Sequence, residues 1–142
     1  MTEMEDELDF PKTMEDRIQI LQKQPRPMNE EQFADIELYL RSLRTHKPAP
    51  EDEFVVVGFE TVYNQLLFIQ AMSVESFRKC RVEIGLERKG KSFPQIYAKN
   101  SVPIDTVVSI FRDVCCSTNN PDFSEWIDDT YNIMKAKEIE DK

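Results

Sequence analysis

Between residues 54 and 98 four short apolar runs follow one another, and this cluster more than any other feature demands a sheet. Residues 54–59 (FVVVGF) are β-branched and aromatic, with Gly58 as a candidate bulge. Residues 66–72 (LLFIQAM) read as a buried strand; a helix begun at Thr61 is the alternative, since so short a run carries no decisive period. Cys80, Val82, Ile84 and Leu86 alternate with Arg81, Glu83, Gly85 and Glu87, the period-two mark of a half-solvated strand. Arg88-Lys89-Gly90-Lys91 supplies a turn, and residues 93–98 return as a fourth strand that Pro94 confines to a sheet edge.

Helical patterns flank this middle on both sides. Thr13 and Asp16 open a short helix with Met14, Ile18 and Leu21 on one face, stopped by Pro25-Arg26-Pro27. Asn29 and Gln32 form a reciprocal cap for a stronger helix reaching about Arg44, whose stripe is Phe33, Ile36, Leu40 and Leu43. Pro103 suits the first position of a third, lined by Ile104, Val107, Val108, Phe111 and Cys115. After Asn119-Asn120-Pro121, the pair Asp122 and Glu125 opens a fourth with Trp126, Ile127, Tyr131 and Met134 along one side. The expected architecture is α+β: two N-terminal helices, an antiparallel β-meander of about four strands and two C-terminal helices.

At 142 residues the chain suits one domain, long enough to bury about 68% of its unfolded surface without a disulfide or metal. Residues 1–11 hold five acids and no base and read as an acidic flexible arm, leaving 12–142 as a single α+β domain. The proline-rich connector at 47–53 is a rigid link inside that domain. With 27 acids against 18 bases the net charge is −9, which opposes nucleic-acid binding and docking on an anionic membrane. Such a charge serves solubility, or steers the chain toward a basic partner. The acidic N-terminus is the reverse of a signal peptide, and no apolar run approaches the ~20 residues of a membrane span. Cys80, Cys115 and Cys116 are odd in number and lack CxxC spacing, so the expected setting is reducing and cytoplasmic.

Catalytic equipment is sparse in the sequence. His46 is the single histidine; it reads as an exposed helix-end residue favoured by the dipole, and a general-base role is the alternative. Asp128 and Asp129, adjacent on an expected helix, diverge by about 100° and cannot flank a scissile bond. No metal-ligand spacing occurs, and Gly58, Gly85 and Gly90 are too far apart to cradle a phosphate. The expectation is a non-enzymatic chain with no cofactor, no metal and no catalytic residue.

Charge is unevenly spread. Residues 78–91 hold six bases and two acids, whereas residues 113–134 hold five acids and no base. The basic stretch is explained by protection of a hairpin edge. The acidic stretch carries Phe123, Trp126 and Tyr131 among its charges, the mixture a binder of a basic protein displays. The candidate partner-binding residues are therefore Asp122, Phe123, Glu125, Trp126, Asp128 and Asp129; packing of Trp126 in the core is the alternative for that ring. Residues 95–129 (QIYAKNSVPIDTVVSIFRDVCCSTNNPDFSEWIDD) resemble small bacterial toxin-immunity-like proteins. That resemblance implies a cytoplasmic, non-enzymatic protein that binds and blocks a cognate toxin; together with the acidic face, the expectation is an inhibitor that occludes a basic effector or toxin, as a monomer or weak dimer. A small structural or adaptor subunit, acting through self-association or a scaffold, is the other reading.

Overall fold

A computed structural model describes residues 18–43, 54–73 and 79–140. The expected acidic arm, the proline connector and His46 lie outside the described residues. Among these residues six strands form one mixed sheet in chain order: β1 (Ile18–Gln24), β2 (Phe54–Tyr63), β3 (Leu66–Ser73), β4 (Lys79–Leu86), β5 (Gln95–Pro103) and β6 (Ile127–Asp128). Among the described residues three helices accompany it: α1 (Glu30–Arg41), α2 (Ile104–Cys115) and α3 (Thr130–Glu140). No helix among the described residues is long and apolar enough to cross a membrane.

Strands β2 to β5 are the expected four-stranded antiparallel meander, with residues 66–73 a strand and not a helix. The expected first N-terminal helix is corrected where it can be seen: residues 18–24 are strand, not helix. Ile18 and Ile20 flank Gln19 at strand spacing, although Ile18 and Leu21 also match a helical one, and β-branched residues settle better on a pleat. β1 runs parallel to β2, from Ile18 beside Phe54 to Leu21 beside Val57, so the connection between them is a crossover that carries α1. The expected cap of α1 is present: Gln32 N donates to Asn29 Oδ1 at 2.7 Å, and Asn29 N donates to Gln32 Oε1 at 2.9 Å.

Register sorts the side chains into two faces. One cross-sheet row runs Leu21, Val57, Ile69, Ile84, Tyr97; α1 and α2 cover it with Phe33, Ile36, Leu40, Val107 and Phe111, all buried. Each such side chain contributes roughly 1.5–3 kcal/mol through burial. The row on the other face runs Ile20, Val56, Gln70, Glu83, Ala98, Ile127. β4 is therefore not half-solvated: it is a central strand, and Glu83 and Gly85 on its second face are buried as well. Gly85 has a packing reason, because a Cβ there would stand 2.2 Å from the ring of Phe68. Pro94 precedes β5 instead of lying within it, and β6 pairs with Tyr97 and Ala98, so this strand is no free edge there.

Arg26, which the sequence reading took only as part of a helix stop, is 4% exposed. Its Nε donates to the carbonyls of Val114 and Ser117, both at 2.9 Å; Nη1 reaches Tyr63 O at 3.0 Å and Nη2 reaches Asn119 O at 2.8 Å. The guanidinium also lies 5.6 Å from the centre of the Phe59 ring. Burial lowers its pKa, yet guanidinium stays charged in proteins, and the carbonyls ending α2 supply the compensating negative potential. Met28 N adds a bond to Cys115 O at 2.8 Å, fixing the β1–α1 loop against the same helix end.

Arg26→Met is expected to lower unfolding free energy by about 3 kcal/mol, since several buried carbonyls lose their donor together; denaturant titration measures it. Gly85→Ala is expected to cost roughly 1–3 kcal/mol by forcing Phe68 aside, and a Phe68→Ala background should erase most of that cost in the same titration.

Candidate functional site

The residues singled out from sequence gather at the corner where β5, β6 and the start of α3 meet, but in a different local structure. The expected helix from Asp122 does not form. Asp122 accepts from Ser124 N at 3.0 Å and caps a single 3-10 turn, Phe123–Glu125, which Trp126 N closes on Phe123 O at 3.0 Å. Trp126 is extended, with φ −97° and ψ 159°, and the chain then pairs as β6 before α3 begins at Thr130. The Phe123 ring stacks on Tyr97 at 4.4 Å, a contact that holds this segment to the strand edge.

Trp126 meets Phe123 edge-on at 5.4 Å and carries Lys99 Nζ 5.7 Å from its ring centre. Phe123 and Trp126 are both partly buried against the helix-covered core. They anchor the corner, and only their outer edges meet solvent. The core-anchor alternative for Trp126 thus describes its packing, though the anchor belongs to a turn and not to the last helix.

Asp128 and Asp129 are adjacent on an extended segment, so they diverge to opposite sheet faces, not by a helical step. Asp128 stays on the Tyr97 side: Oδ1 accepts from Thr130 Oγ1 at 2.7 Å and from Thr130 N at 3.2 Å, and Oδ2 from Gln95 Nε2 at 3.1 Å. These bonds, that of the Thr130 hydroxyl first, hold the Asp128 carboxyl below its ordinary range. The Thr130 hydroxyl in turn accepts from Ile96 N at 2.8 Å, and Asp129 N donates to Ile96 O at 2.9 Å. The first turn of α3 is thereby tied directly to β5.

Asp129 turns to the second face and pairs with Arg81 Nη2. Arg81 Nε also meets Glu83 Oε2 at 2.7 Å, Gln70 donates to Glu83 Oε1, and Arg81 Nη1 donates to Asn100 Oδ1 at 3.0 Å. Burial alone would lower the pKa of Arg81, but its bonds to Glu83 and Asp129 outweigh this and raise it. With side-chain exposures of 20% for Arg81, 10% for Glu83 and 17% for Asp129, the three charges form a largely desolvated network. The basic stretch and the acidic stretch are therefore not separate surfaces: Arg81 closes on Asp129, and Arg88 stands in the same shallow groove as Asp128.

What remains outward is smaller and more apolar than the sequence suggested. Ile127 is 49% exposed and Tyr131 64%, beside exposed Glu125 and Asp128. A groove of about 330 Å³ runs between Arg88, Asp128, Thr130, Tyr131 and Met134. Helical spacing puts Ile127 and Tyr131 on one helix face; their exposure is legible only once α3 is seen to start at Thr130. Burial pushes the Cys80 and Cys115 thiols up to about 12, and Cys116 upward too, so all three are poor nucleophiles at neutral pH. Among the described residues no group of three or more His, Cys, Asp or Glu is placed to hold a metal ion.

Asp128 contributes stability through its depressed pKa; the contribution is present above the unfolded value near 3.9 and fades as pH falls through the folded one. Thr130→Val is expected to move the Asp128 titration upward and to weaken that acid-side dependence, as a carboxyl-carbon NMR titration reads directly. Asp129→Asn is expected to cost about 2 kcal/mol, and Arg81→Met in the same chain to be strongly non-additive with it, in a double-mutant denaturation cycle. No protein-family model, curated protein or solved structure matches the chain significantly.

Proposed function

We propose that this chain is a non-enzymatic protein-binding protein, an inhibitor or immunity-type protein that occludes a basic effector. The observation that carries the reading is the outward pairing of apolar and acidic side chains at the β6–α3 corner: Ile127 and Tyr131 exposed among Glu125 and Asp128. Large exposed rings act as anchors on a partner, while neighbouring carboxylates raise the encounter rate with a basic surface. The net charge of −9 supports the same direction of steering.

The original six residues divide by role in this reading. Glu125 and Asp128 meet the partner, with Asp122 at the rim. Phe123 and Trp126 hold the turn in shape, and Asp129 fixes it to the sheet through Arg81. The groove beside Asp128 and Tyr131 receives a lysine or arginine side chain, whose methylenes lie on the ring and on Met134. The resemblance of residues 95–129 to toxin-immunity-like proteins agrees with this role. Ile20, 54% exposed on the outer strand β1, favours the second reading, a self-associating structural or adaptor subunit.

Affinity capture at low and then moderate salt, followed by mass spectrometry, is expected to retain one basic protein whose binding weakens with salt. Glu125→Gln with Asp128→Asn should slow its association about tenfold at low salt and flatten the salt dependence. Tyr131→Ala should act on dissociation instead, by at least tenfold. Unchanged kinetics in both variants would remove the corner from the interface, and a solution mass of twice the chain would favour self-association.

A further inference from the structure

Protection of a hairpin edge does not account for all the bases of residues 78–91, because β4 is a central strand and β5 carries β6. Arg81 is taken by Glu83 and Asp129. Arg88, Lys89 and Lys91 lie in the loop between β4 and β5, beyond the last paired residues Leu86 and Gln95. That loop has a fixed shape. Lys91 N donates to Arg88 O at 3.1 Å, and Gly90 takes a left-handed φ of 77° at the turn. Arg88 donates from Nε and Nη2 to Phe93 O, at 3.0 and 2.9 Å, which orients the guanidinium and uses two of its five N–H donors. The β2–β3 turn, with Asn64 and Gln65 both at positive φ, is held against the loop by Glu87 N donating to Gln65 O at 2.7 Å.

Between the two turns lies a cleft of about 670 Å³. Its walls hold the three cations, the Ser92 hydroxyl and the Gln65 amide, with Glu87 as the one carboxylate among the described residues. Lys89, Lys91 and Ser92 are exposed and Arg88 is half-buried. The local sign is thus the reverse of the chain's −9. Exposed charges beyond ~8 Å are largely screened at physiological salt, so an anion in the cleft meets the loop's cations and not the distant acids.

We propose that this cleft binds the diphosphate group of a small phosphorylated molecule. A single carboxylate would leave two of the three cations unmatched, whereas a diphosphate offers charge and oxygens to all of them. Guanidinium and ammonium donors form short, charge-assisted bonds to phosphate oxygens, and the Ser92 hydroxyl adds a neutral one. No aromatic or aliphatic residue lines the walls, so the phosphates carry the affinity and not an apolar body. The glycines form no phosphate cradle, and the site works through side-chain cations. Arg88 also lines the groove beside Asp128. The Asp128 carboxyl, held low first by the Thr130 hydroxyl, is lowered by the charge of Arg88 as well, so an anion on Arg88 raises it. The site stands apart from the partner reading, which rests on Ile127 and Tyr131.

The test titrates the nitrogen-labelled full chain with sodium pyrophosphate, with ADP and with sodium acetate, at ionic strength held constant by sodium chloride. Pyrophosphate or ADP at millimolar concentration is expected to move the amide signals of residues 88–92 saturably, and acetate to leave them in place. Lys89→Gln with Lys91→Gln should weaken binding at least about tenfold, with unchanged far-ultraviolet circular dichroism. Equal affinity for the two phosphates supports a free diphosphate as the ligand, and tighter ADP supports a nucleotide carrying that group. Saturating pyrophosphate should also shift the Asp128 carboxyl-carbon titration upward. Absence of saturation by either phosphate, equal movement with acetate, affinity that ignores the double substitution, or an Asp128 titration that ignores bound pyrophosphate would each overturn the proposal.

Discussion

The guanidinium of Arg26 ties four segments of the fold together at one point. It joins the loop before α1, the end of β2 at Tyr63, the last turn of α2 at Val114 and the loop at Ser117 and Asn119. A buried cation with no carboxylate beside it among the described residues is tolerable where fixed dipoles replace its water, and a helix C-terminus with its unpaired carbonyls is such a place. The arrangement sets where α2 ends. That end in turn sets the path of residues 116–126 back to the sheet, and so the position of the β6–α3 corner.

At that corner the chemistry is again one of internal satisfaction. Of the acids that make residues 113–134 look like a binding stripe, Asp129 is consumed by Arg81, Asp122 by a turn, and Asp128 partly by Thr130 and Gln95. Two residues of strand pairing would be a weak attachment alone. The stacked rings on one side of β5 and the charged network on the other clamp the segment from both faces. What this clamp leaves exposed is Glu125, the half-used carboxylate of Asp128, and the apolar pair Ile127 and Tyr131.

Much of the fold was legible because its signals were local. The Asn29/Gln32 cap, the run of β-branched residues at 54–57, the alternation from Cys80 and the stripe of α2 each depend on neighbours within a few positions. What failed was set at a distance. Ile18 to Gln24 fits a helix or a strand by spacing, and only β2, some thirty residues later, decides it. Asp122 and Glu125 imitate a capping box, yet Tyr97 captures Phe123 and the backbone of residues 95–98 captures residues 127–128. The burial of Glu83 was hidden for the same reason: nothing within β4 announces that Asp129, forty-eight residues after Arg81, returns to share it.

The sheet keeps its strands in the order in which they are synthesised. Each antiparallel ladder from β2 to β5 can close across a short connection, so the entropy lost per closure is small and no earlier strand must be displaced to admit a later one. The exceptions lie at the two margins, where β1 waits for a crossover and β6 for a helix to finish. By loop-closure entropy the ladders in the middle cost least to close, and the two margins, one of them the corner that carries Ile127 and Tyr131 into solvent, cost most.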